Sequence, residues 1–108
     1  NGHVKEWEVG LETGEVNAGE VTFRIENAGS MKHEFLVIQT DVAPGEIPVE
    51  GNRFSEELES LVMVDEIPEY DNGTTQDLTV TLAPGTYQLV CNIAGHYQAG
   101  MFTSLTVV

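Results

Sequence analysis

Thr86-Tyr87-Gln88-Leu89-Val90-Cys91-Asn92-Ile93-Ala94-Gly95-His96-Tyr97-Gln98-Ala99-Gly100-Met101-Phe102 carries the densest chemical signal in this 108-residue chain. Thr86 to Cys91 has the β-branched, aromatic and aliphatic content of a strand and follows the turn signal Pro84-Gly85. Phe102 to Val108, rich in Thr and Val, reads as the last strand. Between the two, a thiol, an imidazole and a thioether recur at intervals of five, at Cys91, His96 and Met101. With three His and three Met in the chain, a given Cys gains both partners at these offsets by chance about once in a thousand placements. The stretch therefore reads as a loop folded around a metal ion, its ends held by two strands.

The same strand chemistry extends outward from this loop. Leu78, Val80 and Leu82 alternate with Thr79 and Thr81, and similar alternation links Val21, Phe23 and Ile25, and Trp7, Val9 and Leu11. Phe35 to Ile38 is a continuous apolar run, as a strand covered on both faces requires. Turn signals at Asn17-Ala18-Gly19, Asn27-Ala28-Gly29 and Asp71-Asn72-Gly73 separate these segments, so an all-β, antiparallel sandwich is expected. Residues 41 to 69 differ. They hold Pro44, Pro48, Pro68 and an acidic cluster, and read as a short helix or irregular insertion. Ser55 ahead of Glu56 and Glu57 predicts a helix over Ser55 to Leu61, while Val62, Met63 and Val64 favour a strand starting within Leu61 to Ile67.

Length and a 41% hydrophobic content suit one domain spanning residues 1 to 108. No apolar run approaches the roughly 18 residues of a membrane span, although a secretory leader or lipid tether removed ahead of residue 1 is compatible with the chain. Four Lys plus Arg against 18 Asp plus Glu give a net charge of −14, which repels phosphate backbones and excludes nucleic acid as a partner. The acidity suits a solvated surface, or steering toward a basic partner. The lone Cys91 excludes an internal disulfide.

A loop with three donors leaves a trigonal site one strong donor short, and His33, immediately ahead of the Phe35 to Ile38 run, is placed to supply it from a neighbouring strand. One thiolate and two imidazoles with a weak axial thioether form a set suited to copper, whereas structural zinc prefers four strong donors. Met31 and Met63 lack such support and read as packing residues. Asn1-Gly2-His3, with a terminal amine, two amide nitrogens and an imidazole, could wrap a second Cu(II) in a square plane.

With the ligand loop, the Ala83-Pro84-Gly85-Thr86-Tyr87 turn, and His33 followed by Phe35, the chain resembles the cupredoxin family of blue-copper proteins over nearly its whole length. The loop is most similar to those of rusticyanin and sulfocyanin. That resemblance implies a Greek-key β-sandwich with one type 1 copper at one end. His33 and His96 would bind through imidazole nitrogen, Cys91 through its thiolate, and Met101 as the long axial contact. It implies an electron carrier rather than an enzyme, exported to the periplasm or the extracellular face of the membrane. Such a protein is expected to be a monomer meeting a redox donor and a redox acceptor transiently. Copper storage or delivery, or a copper domain of a larger membrane-associated protein, are the alternatives. Ile93, Ala94, Tyr97 and Ala99 around His96 correspond to the family's docking patch. Glu34 and Asn92 neighbour the ligands. Glu34 stands where many members have an Asn that ties the two copper-bearing loops together, and its backbone N–H remains able to reach the Cys91 sulfur. Ala94 stands where related loops often have Pro.

Overall fold

The computed structural model describes residues 2–51, 53–56, 58 and 60–108. Nine strands form two sheets: β1 Gly2–Lys5, β2 Glu8–Leu11, β3 Glu15–Val16, β4 Gly19–Asn27, β5 His33–Gln39, β6 Val62–Tyr70, β7 Thr75–Leu82, β8 Gly85–Val90 and β9 Phe102–Val107, with a one-turn helix α1 at His96–Ala99. The first sheet has the order β2-β1-β4-β7 and the second β3-β9-β8-β5-β6. Their facing surfaces interdigitate: Val4, Phe23, Ile25, Val80 and Leu82 from one sheet meet Phe35, Val37, Leu89, Leu105 and Val107 from the other. Along β4 and β7 the buried side chains alternate with exposed ones, which is the period-2 pattern of the sequence realised as one face in and one face out.

Leu36 and Ile38 point to the opposite face of β5, where Ile47, Phe54 and Leu61 of the insertion cover them together with Val90 and Tyr97. The unbroken apolar run of β5 is thus explained, because both faces of this strand are buried.

Three expectations are corrected. The sandwich is not wholly antiparallel: β1 pairs with β4, and β3 with β9, in parallel. Alternation reports which face a residue occupies and carries no information on strand direction. The described residues of Ser55 to Leu61 form turns and not the expected helix, with Leu58 N–H donating to Ser55 O and Leu61 N–H to Leu58 O; Glu57 and Glu59 of that stretch lie outside the described residues, as does Asn1 of the Asn1-Gly2-His3 group. The alternative, a strand beginning near Leu61, is realised as β6. Finally, Trp7 is not part of a strand. Glu6 and Trp7 form the turn between β1 and β2, and Trp7 is 47% exposed.

Candidate metal centre

Four elements deliver the expected ligands to one end of the sandwich. His33 opens β5, Cys91 directly follows β8, His96 opens α1 and Met101 directly precedes β9. β5 and β8 are hydrogen-bonded neighbours, as are β8 and β9, so sheet pairing itself brings these positions together. The ligand loop is clasped at its base: Cys91 N–H donates to Met101 O and Met101 N–H to His96 O, both at 3.1 Å. Gly100 turns the chain back toward β9 with φ of 122°, a conformation open to glycine, and a Cβ there would lie 3.1 Å from the Trp7 carbonyl oxygen.

His33, Cys91 and Met101 are fully buried, and His96 is 6% exposed. The Cys91 sulfur lies 3.4 Å from His96 Nδ1 and 4.0 Å from His33 Nδ1, and the two Nδ1 atoms are 3.2 Å apart. Among the described residues, His33, Cys91 and His96 form the one group of three such side chains with donor atoms close enough, within 4.8 Å of one another, to share an ion. Two nitrogens and one sulfur converging in a buried space fit a copper ion. Borderline-soft and soft donors suit it, and among the described residues no carboxylate oxygen or third imidazole joins them.

The electrostatics set which proton a metal ion would have to displace. Burial pushes the Cys91 thiol up to about 11, against the pull of N–H groups from Glu34 and Ile93. A metal ion must therefore displace the proton, and its uptake releases acid. Burial, then the neighbouring His33, holds His96 below its usual value, which keeps the ring neutral as a ligand must be.

Glu34 bridges the two ligand-bearing segments. Its N–H donates to Cys91 Sγ at 3.4 Å, and its Oε1 accepts the Asn92 N–H at 2.9 Å. The longer carboxylate side chain thus makes a tie between the loops. Burial raises this carboxyl to about 7. Asn92 turns its side chain away from the sulfur: it accepts from Phe54 N–H and donates to Phe54 O and Glu56 Oε2, joining the insertion to the ligand loop.

Of the four residues expected to form an exposed patch, Ala94 and Ala99 are exposed and Ile93 is partly so. Tyr97 is not: it is 2% exposed and is corrected from a docking to a packing residue. Its hydroxyl accepts the N–H groups of Gly45 and Ile47 and donates to Gln88 Oε1, and its ring packs against Phe54 and Phe102. Polar backbone of the insertion needs this hydroxyl inside.

Sequence reasoning missed Glu6, Trp7 and Ser30. Glu6 Oε2 lies 3.0 Å from His33 Nε2, and the same carboxylate accepts the N–H and hydroxyl of Ser30. The hydrogen bond with His33, followed by those from Ser30, holds Glu6 down to about 2. The Trp7 ring stands edge-on to His96 with centroids 5.0 Å apart. Neither contact leaves a local spacing signal, since Glu6 and His33 are 27 positions apart. His3 faces elsewhere, bonded to Glu8.

Residues 15–108 match the family model of the sulfocyanin (SoxE) domain. Among solved structures, the chain is similar to sodium-dithionite-reduced auracyanin from the photosynthetic bacterium Roseiflexus castenholzii, at 20% identity and a TM-score of 0.70, over 99% of this chain and 94% of that one. Auracyanin A, a "blue" copper protein from Chloroflexus aurantiacus, shares 20% identity with a TM-score of 0.63 over 98% of each chain. Rusticyanin from Thiobacillus ferrooxidans shares 25% identity with a TM-score of 0.57 over 87% of this chain and 59% of its own. No curated protein sequence matches the chain.

Proposed function

The chain belongs to the sulfocyanin (SoxE) family of cupredoxins, and on that premise we propose that it shuttles single electrons between two redox proteins, with one type 1 copper that His33, Cys91 and His96 would hold as strong ligands and Met101 as a weaker fourth. Cupredoxins are electron carriers that use one such copper. The observation that carries the residue assignment is the buried convergence of Cys91 Sγ with the Nδ1 atoms of His33 and His96.

Copper bound there supplies a one-electron Cu(II)/Cu(I) couple. The protein's own part is to keep the donors where they are in both states and to keep water away. Cys91 and His33 are anchored by adjacent strands, while the base of the loop is clasped by the Cys91 and Met101 backbones. With His33, Cys91 and Met101 fully buried and His96 6% exposed, the four side chains would hold copper away from any substrate, so transfer without bond formation is the fitting act, that of an electron carrier rather than an enzyme. His96, edge-on to the exposed Trp7 and carried by a loop whose Ala94 and Ala99 are exposed, is the exit toward a partner. A small apolar contact in an acidic surface suits brief encounters with a basic redox protein. Export to the periplasm or the outer face of the membrane is the compartment we assign, consistent with the family; among the described residues no helix is long and apolar enough to cross a membrane. Storage or delivery of copper is disfavoured by the burial of the donor atoms, which leaves an acceptor protein little to attack.

Titration of the metal-free protein with Cu(II), followed by absorption spectroscopy, tests this reading. One equivalent should give an intense orange-red thiolate-to-copper band, absent from Cys91→Ser. A colourless product, or a band that survives loss of the sulfur, refutes it.

A further inference from the structure

The β1–β2 turn is two residues long, and each touches a different imidazole: Glu6 meets His33 Nε2 at 3.0 Å and Trp7 stands edge-on to His96. The turn lies outside the span that matches the family model. Glu6 is itself held in place, with its side chain only 16% exposed and its carboxylate accepting both the N–H and the hydroxyl of Ser30. Gly29 leaves room for the arrangement, because a Cβ there would overlap Glu6 Oε2 and stand 2.8 Å from His33 Nε2.

We propose that Glu6 is a positioning residue for the copper centre, which sets the tautomer of His33 by accepting its Nε2–H and biases the site toward the cupric state through its negative charge. This inference rests on the copper reading above. A neutral imidazole carries one N–H, and an ionised carboxylate can only accept. Glu6 therefore draws the proton to Nε2 and leaves the Nδ1 lone pair facing Cys91 Sγ and His96 Nδ1. Without that acceptor the proton is free to move to Nδ1, where it blocks metal. The carboxylate charge stabilises a dipositive ion more than a monopositive one across the ring, so it lowers the reduction potential.

Three variants separate charge, orientation and fold. Glu6→Gln keeps an acceptor oxygen and removes the charge, Glu6→Ala removes both, and Gly29→Ala displaces the carboxylate and presses on His33 Nε2 while leaving both side chains chemically intact. The readouts are the 15N NMR shifts of His33 in the metal-free protein, the separate Cu(II) and Cu(I) affinities, and the potential at an electrode supplying one electron per copper. Glu6→Gln should leave the Nε2–H tautomer in place yet reduce the preference for Cu(II) over Cu(I) by roughly tenfold, a rise of about 59 mV. Glu6→Ala and Gly29→Ala should also shift the proton toward Nδ1 and weaken Cu(II) binding roughly 10- to 100-fold. If Glu6→Ala does not fold, the other two variants decide the matter. Wild-type His33 carrying its proton on Nδ1, or variants matching the wild type both in NMR and at the electrode, would overturn the role of Glu6 while leaving a blue wild type and the electron-carrier reading intact. A wild type that binds no copper through Cys91 removes both.

Discussion

Oε1 of Glu34 accepts the backbone N–H of Asn92 at 2.9 Å, so the residue after one ligand is tied to the residue after another. The bond spans two segments 58 positions apart in sequence and sits beside the Cys91 sulfur, to which Glu34 also donates its N–H. It supports a prediction about the metal-free protein. Because burial raises the Glu34 carboxyl to about 7 from 4.5, the folded state holds a proton that the unfolded chain has lost across that window. Stability from this group is complete below the unfolded value and falls as pH rises through the folded one. Urea denaturation across this range should show the decline in the wild type and a flatter profile in Glu34→Gln; equal slopes would contradict it. Glu34→Ala, which strands the buried Asn92 N–H, should lower stability by about 1–2 kcal/mol.

Tyr97 offers a second test, directed at the insertion. Tyr97→Phe leaves the ring packing in place but removes the acceptor for Gly45 and Ile47 N–H and the donor to Gln88. Denaturant unfolding should register a loss of about 1–3 kcal/mol while the copper-loaded spectrum stays unchanged. A bleached spectrum with unaltered stability would mean that the hydroxyl serves the metal instead.

Met101 is the third. Met101→Leu keeps an apolar side chain of similar size in a fully buried position and removes the thioether. The orange-red band, which comes from Cys91, should persist. The potential should rise, because withdrawal of a donor hurts the more highly charged oxidation state more. An unchanged voltammogram would remove Met101 from the ligand set.

Partner encounter supplies the fourth. With a net charge of −14, bimolecular electron exchange with a basic redox protein should slow as salt is added, and exchange with an acidic one should not. Ala99→Lys, at an exposed position in the helix that His96 opens, should slow exchange with a basic partner by placing like charge in the apolar contact, and leave the colour alone. Stopped-flow rates independent of both changes would place the contact elsewhere.

Much of this was written locally in the chain. The alternation in β4 and β7 is visible because one face of each strand is buried and the other wet. The three loop donors are visible because one short turn must carry them all. His33 was legible only beside an apolar run that itself needed burial on two sides. Strand direction was not legible, since parallel pairing of β1 with β4 changes no residue's burial. Ser55 and Glu56 do carry helix-start chemistry, but Phe54 is tied by both backbone groups to the Asn92 side chain, and the segment is spent on covering β5 instead. The burial of Tyr97 follows from partners about fifty positions away, which no local spacing announces.

The placement of Trp7 has one further consequence. It is the chain's single tryptophan, and its indole stands 5.0 Å from a ring that we assign as a ligand. Light emitted by that indole should therefore dim when a coloured ion fills the centre and recover on bleaching by reductant, so the molecule carries an optical gauge of its own occupancy and oxidation state.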